Sequence, residues 1–187
     1  MIKEPKITRD NIINEAYNIV KVKGMESLNV RDLATNLNSS VQPIYYQFGN
    51  IENLKKEVLN KVVSTYMKYM NMDLDSKLPY KQIGLNYIKF AKEEPKLFQM
   101  IFMTKTDLSI EKFMEADKNF EDIKKYVSLS TGLKDKKVKT YHTKMWLFTH
   151  GIACLLATGT CKLTDKEIRD LLTEEYRALN KLEEENE

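Results

Sequence analysis

Apolar residues recur at intervals of three and four along almost the whole chain, and no run of alternating β-branched residues bounded by tight turns interrupts them. That period suits one face of an α-helix and conflicts with a half-buried strand, so it dictates an all-α fold. Only six Gly and four Pro are spread over 187 residues, which argues against turn-rich β architectures and against disorder. The length suits one domain of ordinary size, or a small head fused to a larger body, with enough chain to bury a core.

Local signals place the helix ends. Thr8 can cap a first helix over 9–23, whose Ile12, Ile13, Ala16, Ile19 and Val20 share a face, and Gly24 supplies a left-handed stop. Asn29 caps a second helix of barely two turns, with Asp32 near its positive end and Leu33, Ala34 and Leu37 as its apolar face. Asn38-Ser39-Ser40 ends it, since Asn tolerates a left-handed backbone and Ser40 is free to cap a third helix over 41–48. Pro43 then falls in the first turn, where its missing N–H breaks no intrahelical bond. Asn50 caps a fourth helix to about residue 70, striped by Leu54, Val58, Val62, Tyr66 and Tyr69, and polar residues 71–79 read as a linker.

Beyond it, helices are expected over 79–93, 95–103, 109–130 with a weak point near 116–119, and 135–157 capped by Asp135. Thr164 and Glu167 fit a capping box that opens the last helix, for nine helices in all. The expected division is a head over 1–62, with a helix-turn-helix at about 29–48, and a body over 63–187 that binds ligand and dimerises.

Composition narrows the function classes. Two Cys exclude a disulfide framework and a four-thiolate zinc site, which fits a reducing cytoplasm; Cys154, among Ile152, Ala153 and Leu155, and Cys161 read as inert thiols. Residues 1–9 are too polar for a signal peptide, and the apolar stretch 145–159 is shorter than the roughly 18 residues of a membrane span. His142 and His150 have no carboxylate at ligand spacing, so neither a metal nor another cofactor is expected. A helical enzyme is disfavoured by the lack of Glu-x-x-His, of a phosphate-cradling Gly loop and of Cys-x-x-Cys. The net charge of +3 conceals +1 in residues 1–60, +7 in 61–163 and −5 in 164–187. Bulk charge therefore does not announce nucleic acid, and local pattern must carry the argument.

That pattern is the pair of short helices over 29–48. A tight turn holding a residue tolerant of left-handed geometry suits a helix-turn-helix, whose second helix projects its N-terminal residues outward. Here those are Ser40, Val41, Gln42 and Pro43, followed by Tyr45, Tyr46 and Gln47. Gln can pair with adenine, Val and Pro can pack on a thymine methyl, and Tyr and Ser can reach phosphates.

With Ala16, Gly24, Leu33-Ala34, Ile44-Tyr45, Phe48, Asn50, Glu52 and Leu54 in order, residues 7–62 resemble the head of TetR/AcrR-type transcriptional regulators. Trp146, His150 and Gly151 resemble the Trp-His-Gly signature of one class of C-terminal domain in that family. The resemblance implies a cytoplasmic, homodimeric repressor that leaves a palindromic double-stranded operator when its body binds a small apolar or amphipathic inducer. By position it puts Asn29 at the helix-two cap, Arg31 beside it, Ser40 through Pro43 at the base-facing turn, and Tyr45 and Gln47 at phosphate-contacting positions. Ile51 stands where a phosphate-contacting Lys is common, and Lys55 and Lys56, about a turn further on, are the compensating candidates.

Within the body, Trp146 and His150 lie four apart on one helix face, so they can touch. Together with Tyr87, Phe102, Phe113, Tyr126 and His142 they are the candidate inducer contacts, because aromatic side chains line adaptable apolar pockets. The last two helices carry apolar residues in excess of what one small body can bury, and Ala153 and Ala157 permit close approach, so they form the expected dimer interface. The alternative is a helical regulator whose head binds protein and not DNA.

Overall fold

The computed structural model describes residues 7–74 and 77–185. Residues 1–6, most of the polar N-terminal stretch, residues 75 and 76 of the expected linker, and the last two residues of the acidic tail lie outside that description. Regular structure among the described residues is entirely helical, in ten α-helices and one short 3-10 turn at Met25–Ser27. The helices are α1 (Arg9–Lys23), α2 (Val30–Asn36), α3 (Gln42–Phe48), α4 (Ile51–Met70), α5 (Pro79–Glu93), α6 (Pro95–Phe102), α7 (Ile110–Glu115), α8 (Phe120–Thr131), α9 (Asp135–Ala157) and α10 (Asp165–Glu184). No helix among the described residues is long and apolar enough to cross a membrane.

The tenth helix corrects the expected nine. The single helix expected over 109–130 is two, because Asp117 and Asn119 close a turn between them. Asp117 Oδ1 accepts both the Asn119 main-chain N–H, at 2.8 Å, and its side-chain amide, at 3.1 Å. Side-chain acceptors of this kind compete with the helical ladder and stop it.

Most of the expected caps form. Thr8 makes a capping box with Asn11, Asn29 accepts from the Asp32 N–H, Asn50 from the Asn53 N–H at 2.9 Å, and Thr164 makes the box with Glu167. Two expected caps do not. At α3 the cap position is Val41, in helical backbone with no side-chain hydrogen bond, so Ser40 stands one residue too early to cap. At α9 the extended cap residue is Lys134, and Asp135 falls inside the helix with φ 50, where its charge faces the positive helix end without capping it.

The chain divides into two compact units, Met1–Tyr66 with Lys96–Met103, and Met67–Pro95 with Thr104–Glu187. In the N-terminal unit the core gathers one stripe from each helix: Ile12, Ala16 and Val20 of α1, Leu33 and Ala34 of α2, Ile44 and Phe48 of α3, and Leu54, Val58 and Val62 of α4. Leu97 and Phe98 of α6 are fully buried, and Phe98 and Tyr66 both pack on Phe102, each with ring centroids 5.1 Å apart. The turn after α2 is held by Asn38 at φ 49, with the Ser39 N–H on the Ala34 carbonyl and the Asn38 N–H on that of Thr35. This paired closure is what lets a non-glycine take left-handed backbone there.

In the second unit α9 is central, packing on α5, α8 and α10, and its Tyr141 is fully buried, as are Phe90 and Ile88 of α5 and Leu172 of α10. Ala153 and Ala157 are buried in this unit, at 0% and 6% exposure, so they do not supply the open small-residue surface that the sequence suggested. The exposed apolar residues of α9 and α10 are instead Leu147, Leu155 and Leu182. Thr164→Ala removes one half of the α10 capping box and should cost about 1 kcal/mol, read as a lower midpoint in urea unfolding at unchanged slope.

Candidate functional site

The α2–turn–α3 segment is built so that one face holds and the other is free. Ile44 and Phe48, four residues apart, are 2% and 4% exposed and fix α3 to the unit's core. Helical geometry then turns Gln42, Tyr45 and Tyr46 away from that core. Tyr45 is 49% exposed and Tyr46 is 90% exposed. Burying neither ring is unusual for side chains of this size, which normally contribute large apolar areas to a core. Ser40, Val41 and Gln42 are likewise exposed, and Pro43 is half-buried in the first turn. Beside them, between α1 and the turn, runs a groove of about 1820 Å³ lined by Asn11, Asn18, Ser40, Gln42, Tyr46 and Gln47 among others.

The ten candidate contact residues of this unit divide by what their side chains already do. Asn29 is spent locally, its Oδ1 on the Asp32 N–H and its Nδ2 on the Asp32 carboxylate at 2.7 Å. Gln47 is half-buried and donates Nε2 to the Ile7 carbonyl at 3.0 Å, which turns it inward from the phosphate-contacting position that the family resemblance suggested. Lys55, expected as a compensating phosphate contact, is paired with Glu52 at 2.8 Å across one turn of α4. Arg31, Ser40, Val41, Gln42, Pro43, Tyr45 and Tyr46 keep their side chains uncommitted among the described residues, and of these Arg31 alone is charged.

In the second unit, four of the seven candidate ligand residues come together. Tyr87 of α5 hydrogen-bonds His150 Nδ1 at 2.9 Å, His150 Nε2 lies 3.3 Å from Cys154 Sγ, and the Trp146 ring stacks on His150 with centroids 4.6 Å apart. Phe113 of α7 packs on the Trp146 indole, with ring centroids 5.9 Å apart. Burial raises the Tyr87 phenol well above its ordinary range and lowers His150, while it pushes the Cys154 thiol up. The set is therefore neutral near pH 7: the phenol and the thiol keep their protons, the imidazole carries a single proton, and the thiol is not activated.

His142 belongs to a separate cluster. Its Nδ1 is 3.0 Å from the Tyr80 hydroxyl, and the Tyr80 and Phe120 rings flank it at 5.9 and 6.2 Å. Tyr126, half-buried on α8, takes part in neither cluster, and Phe102 lies in the other unit with Tyr66 and Phe98. Sequence reasoning missed Tyr80, because a partner 62 positions away leaves no periodic trace. The lysine-rich start of α9 lines a groove of about 970 Å³ with Lys124, Lys125, Lys134, Lys136, Lys139 and Lys144, and none of the seven candidates borders it. No group of three or more His, Cys, Asp or Glu among the described residues could hold a metal ion.

Burial holds the His142 imidazole down at about 4, against an ordinary value of 6.5. Between those values the unfolded chain takes up a proton that the folded chain refuses, so stability is intact above pH 6.5 and falls as the pH drops toward 4. The loss from this group is on the order of 3 kcal/mol. His142→Gln should flatten that part of the profile, measured by urea unfolding at intervals from pH 7 to pH 4.

No protein-family model matches this sequence, and no curated protein matches it.

Proposed function

We propose that this chain is a homodimeric, DNA-binding transcriptional regulator of the TetR type, with α3 as the helix that enters the major groove. The observation that carries the reading is the uncommitted outer face of α3, where Gln42, Tyr45 and Tyr46 stand exposed beside Ser40 and Val41 on a helix whose opposite face is fixed in a core. Gln reads adenine through two hydrogen bonds, and Tyr hydroxyls and Ser40 reach phosphates. Arg31, in the first turn of α2, supplies the one uncommitted cation of the ten candidate contacts among the described residues.

One seven-residue helix reads few bases, so specificity calls for two heads on a two-fold axis, with half-sites about one helical turn apart or slightly more. Leu147 and Leu155 of α9 and Leu182 of α10, between 43% and 51% exposed, offer apolar surface for pairing the last two helices with a second copy. An apolar or amphipathic inducer would be received by the Tyr87, Phe113, Trp146 and His150 cluster, whose neutral hydrogen-bonding groups suit an uncharged ligand. Complete release from DNA requires that inducer to prefer the non-binding state by about 5.5 kcal/mol, shared between two sites in a dimer.

The engagement of Gln47 and Lys55 favours a second reading, a regulator whose head binds protein. Selection from a random duplex pool separates the two. A palindromic consensus, bound with a salt-dependent affinity, is expected for a DNA reader, and neither enrichment nor salt-dependent binding for the alternative. Tyr46→Ala and Arg31→Ala should leave stability within about 0.5 kcal/mol, since both side chains face solvent. Each should weaken duplex binding with the dimer intact, and Arg31→Ala should lower the salt slope by about 0.9 for each phosphate that the guanidinium neutralises.

A further inference from the structure

Arg9, at the start of α1, joins three elements of the N-terminal unit. Its Nη1 donates to the main-chain carbonyl of Gln47 at 2.8 Å, its Nη2 meets Glu57 Oε1 on α4 at 2.7 Å, and its guanidinium lies 4.2 Å from the centroid of the Phe48 ring. Gln47 returns the link, through its side-chain bond to the Ile7 carbonyl.

The carbonyl that Arg9 takes is one of the last four of α3, which have no partner inside the helix. Two others are also met from outside: the Gly49 N–H bonds the Tyr45 carbonyl and Asn53 Nδ2 bonds that of Phe48, both at 2.8 Å. A cation is favoured at this negative helix end. The planar fork of Arg serves a carbonyl and a carboxylate together, which the single ammonium of Lys does not match. All of these contacts gather at the C-terminal end of α3, away from Ser40, Val41 and Gln42 at its start.

We propose that Arg9 is the positioning residue of α3. It clamps the C-terminal end of that helix between α1 and α4 and so fixes the direction in which Gln42, Tyr45 and Tyr46 point. This rests on reading α3 as the helix that contacts DNA, and it makes Arg9 a determinant of discrimination between duplexes without contact to either bases or phosphates. Its charge is already matched by Glu57, so removing the guanidinium lowers the fraction of molecules that present α3 correctly, and apparent affinity falls by that fraction.

The test uses the full chain with Arg9→Met, which keeps the aliphatic stem. Without DNA, amide hydrogen exchange over residues 45–49 should quicken by about tenfold while residues 58–62 of α4 stay unchanged. The duplex enriched from a random pool should bind about tenfold more weakly, with binding to random duplex and the salt slope as in the unsubstituted protein. Unchanged exchange over 45–49 overturns the clamp. A salt slope lower by about 0.9, with equal weakening on random duplex, also overturns it, because Arg9 would then be a direct phosphate contact. If the unsubstituted protein enriches no duplex, the DNA reading fails by itself, and the exchange result still decides whether Arg9 holds α3. Should Arg9→Met not fold, Glu57→Ala removes one of the three contacts, and its exchange over 45–49 is judged by the same two outcomes with a smaller change, about threefold.

Discussion

A helix of seven residues does not hold itself together in water, because nucleation costs more than so few internal bonds return. The N-terminal unit is organised around that constraint. α3 has no side-chain cap at its start and a glycine at its end, so its persistence depends on what surrounds it. Ile44 and Phe48 bury its inner face, Pro43 pre-sets its first turn, and the groups that meet its last carbonyls come from outside the helix. Because the stabilising contacts are confined to one stripe and one end, the remaining surface is free to carry polar and aromatic side chains.

Surface and interior meet their polar demands differently. Outward-facing contacts are ion pairs such as Arg9 with Glu57, Lys92 with Asp165 and Lys139 with Glu115, all substantially exposed. Pairs of this kind contribute roughly 0–1 kcal/mol each, so they orient more than they stabilise. Inside the second unit several polar side chains are neutral and joined to one another: Tyr80 to His142, Tyr87 to His150, Tyr141 to Asn180 at 2.9 Å, and Asn86 to Gln82 and the Met72 carbonyl. A neutral hydrogen-bonded pair avoids the desolvation cost of a buried charge and still demands one geometry. The lysine excess of residues 61–163 is thereby left to the surface, as in the groove at the start of α9.

What the sequence made legible follows from how far each signal reaches. Thr8, Asn29, Asn50 and Thr164 cap because a cap needs a residue only three positions on, and Asn38 takes left-handed backbone because the turn demands it locally. Ser40 and Asp135 do not cap, for the complementary reason. A cap position depends on where the preceding turn releases the chain, and buried Leu133 and left-handed Gly132 set that point for α9. Trp146 and His150 were readable as neighbours four apart, whereas the partners of Tyr80, Gln47 and Arg9 lie 38 to 62 positions away and leave no trace in any window.

Those distant partners change how the proposed DNA face would have to work. Asn29, Gln47 and Lys55 all have the right chemistry for nucleic acid, yet each makes a polar contact within the chain. Of the cations considered for this face, Arg31 and the exposed Lys56 are left uncommitted among the described residues, so counterion release would rest on few charges and nonspecific attraction to duplex would be modest. A surface short of charge and rich in Tyr, Gln and Ser gains its free energy from contacts that require close placement of hydrogen-bonding atoms. Errors in the direction of α3 would therefore weaken this face more than they would a lysine-rich one, whose attraction survives small rotations. Under the proposed reading, a helix so short would gain from being fastened at its far end by a forked side chain whose contacts all lie within the chain.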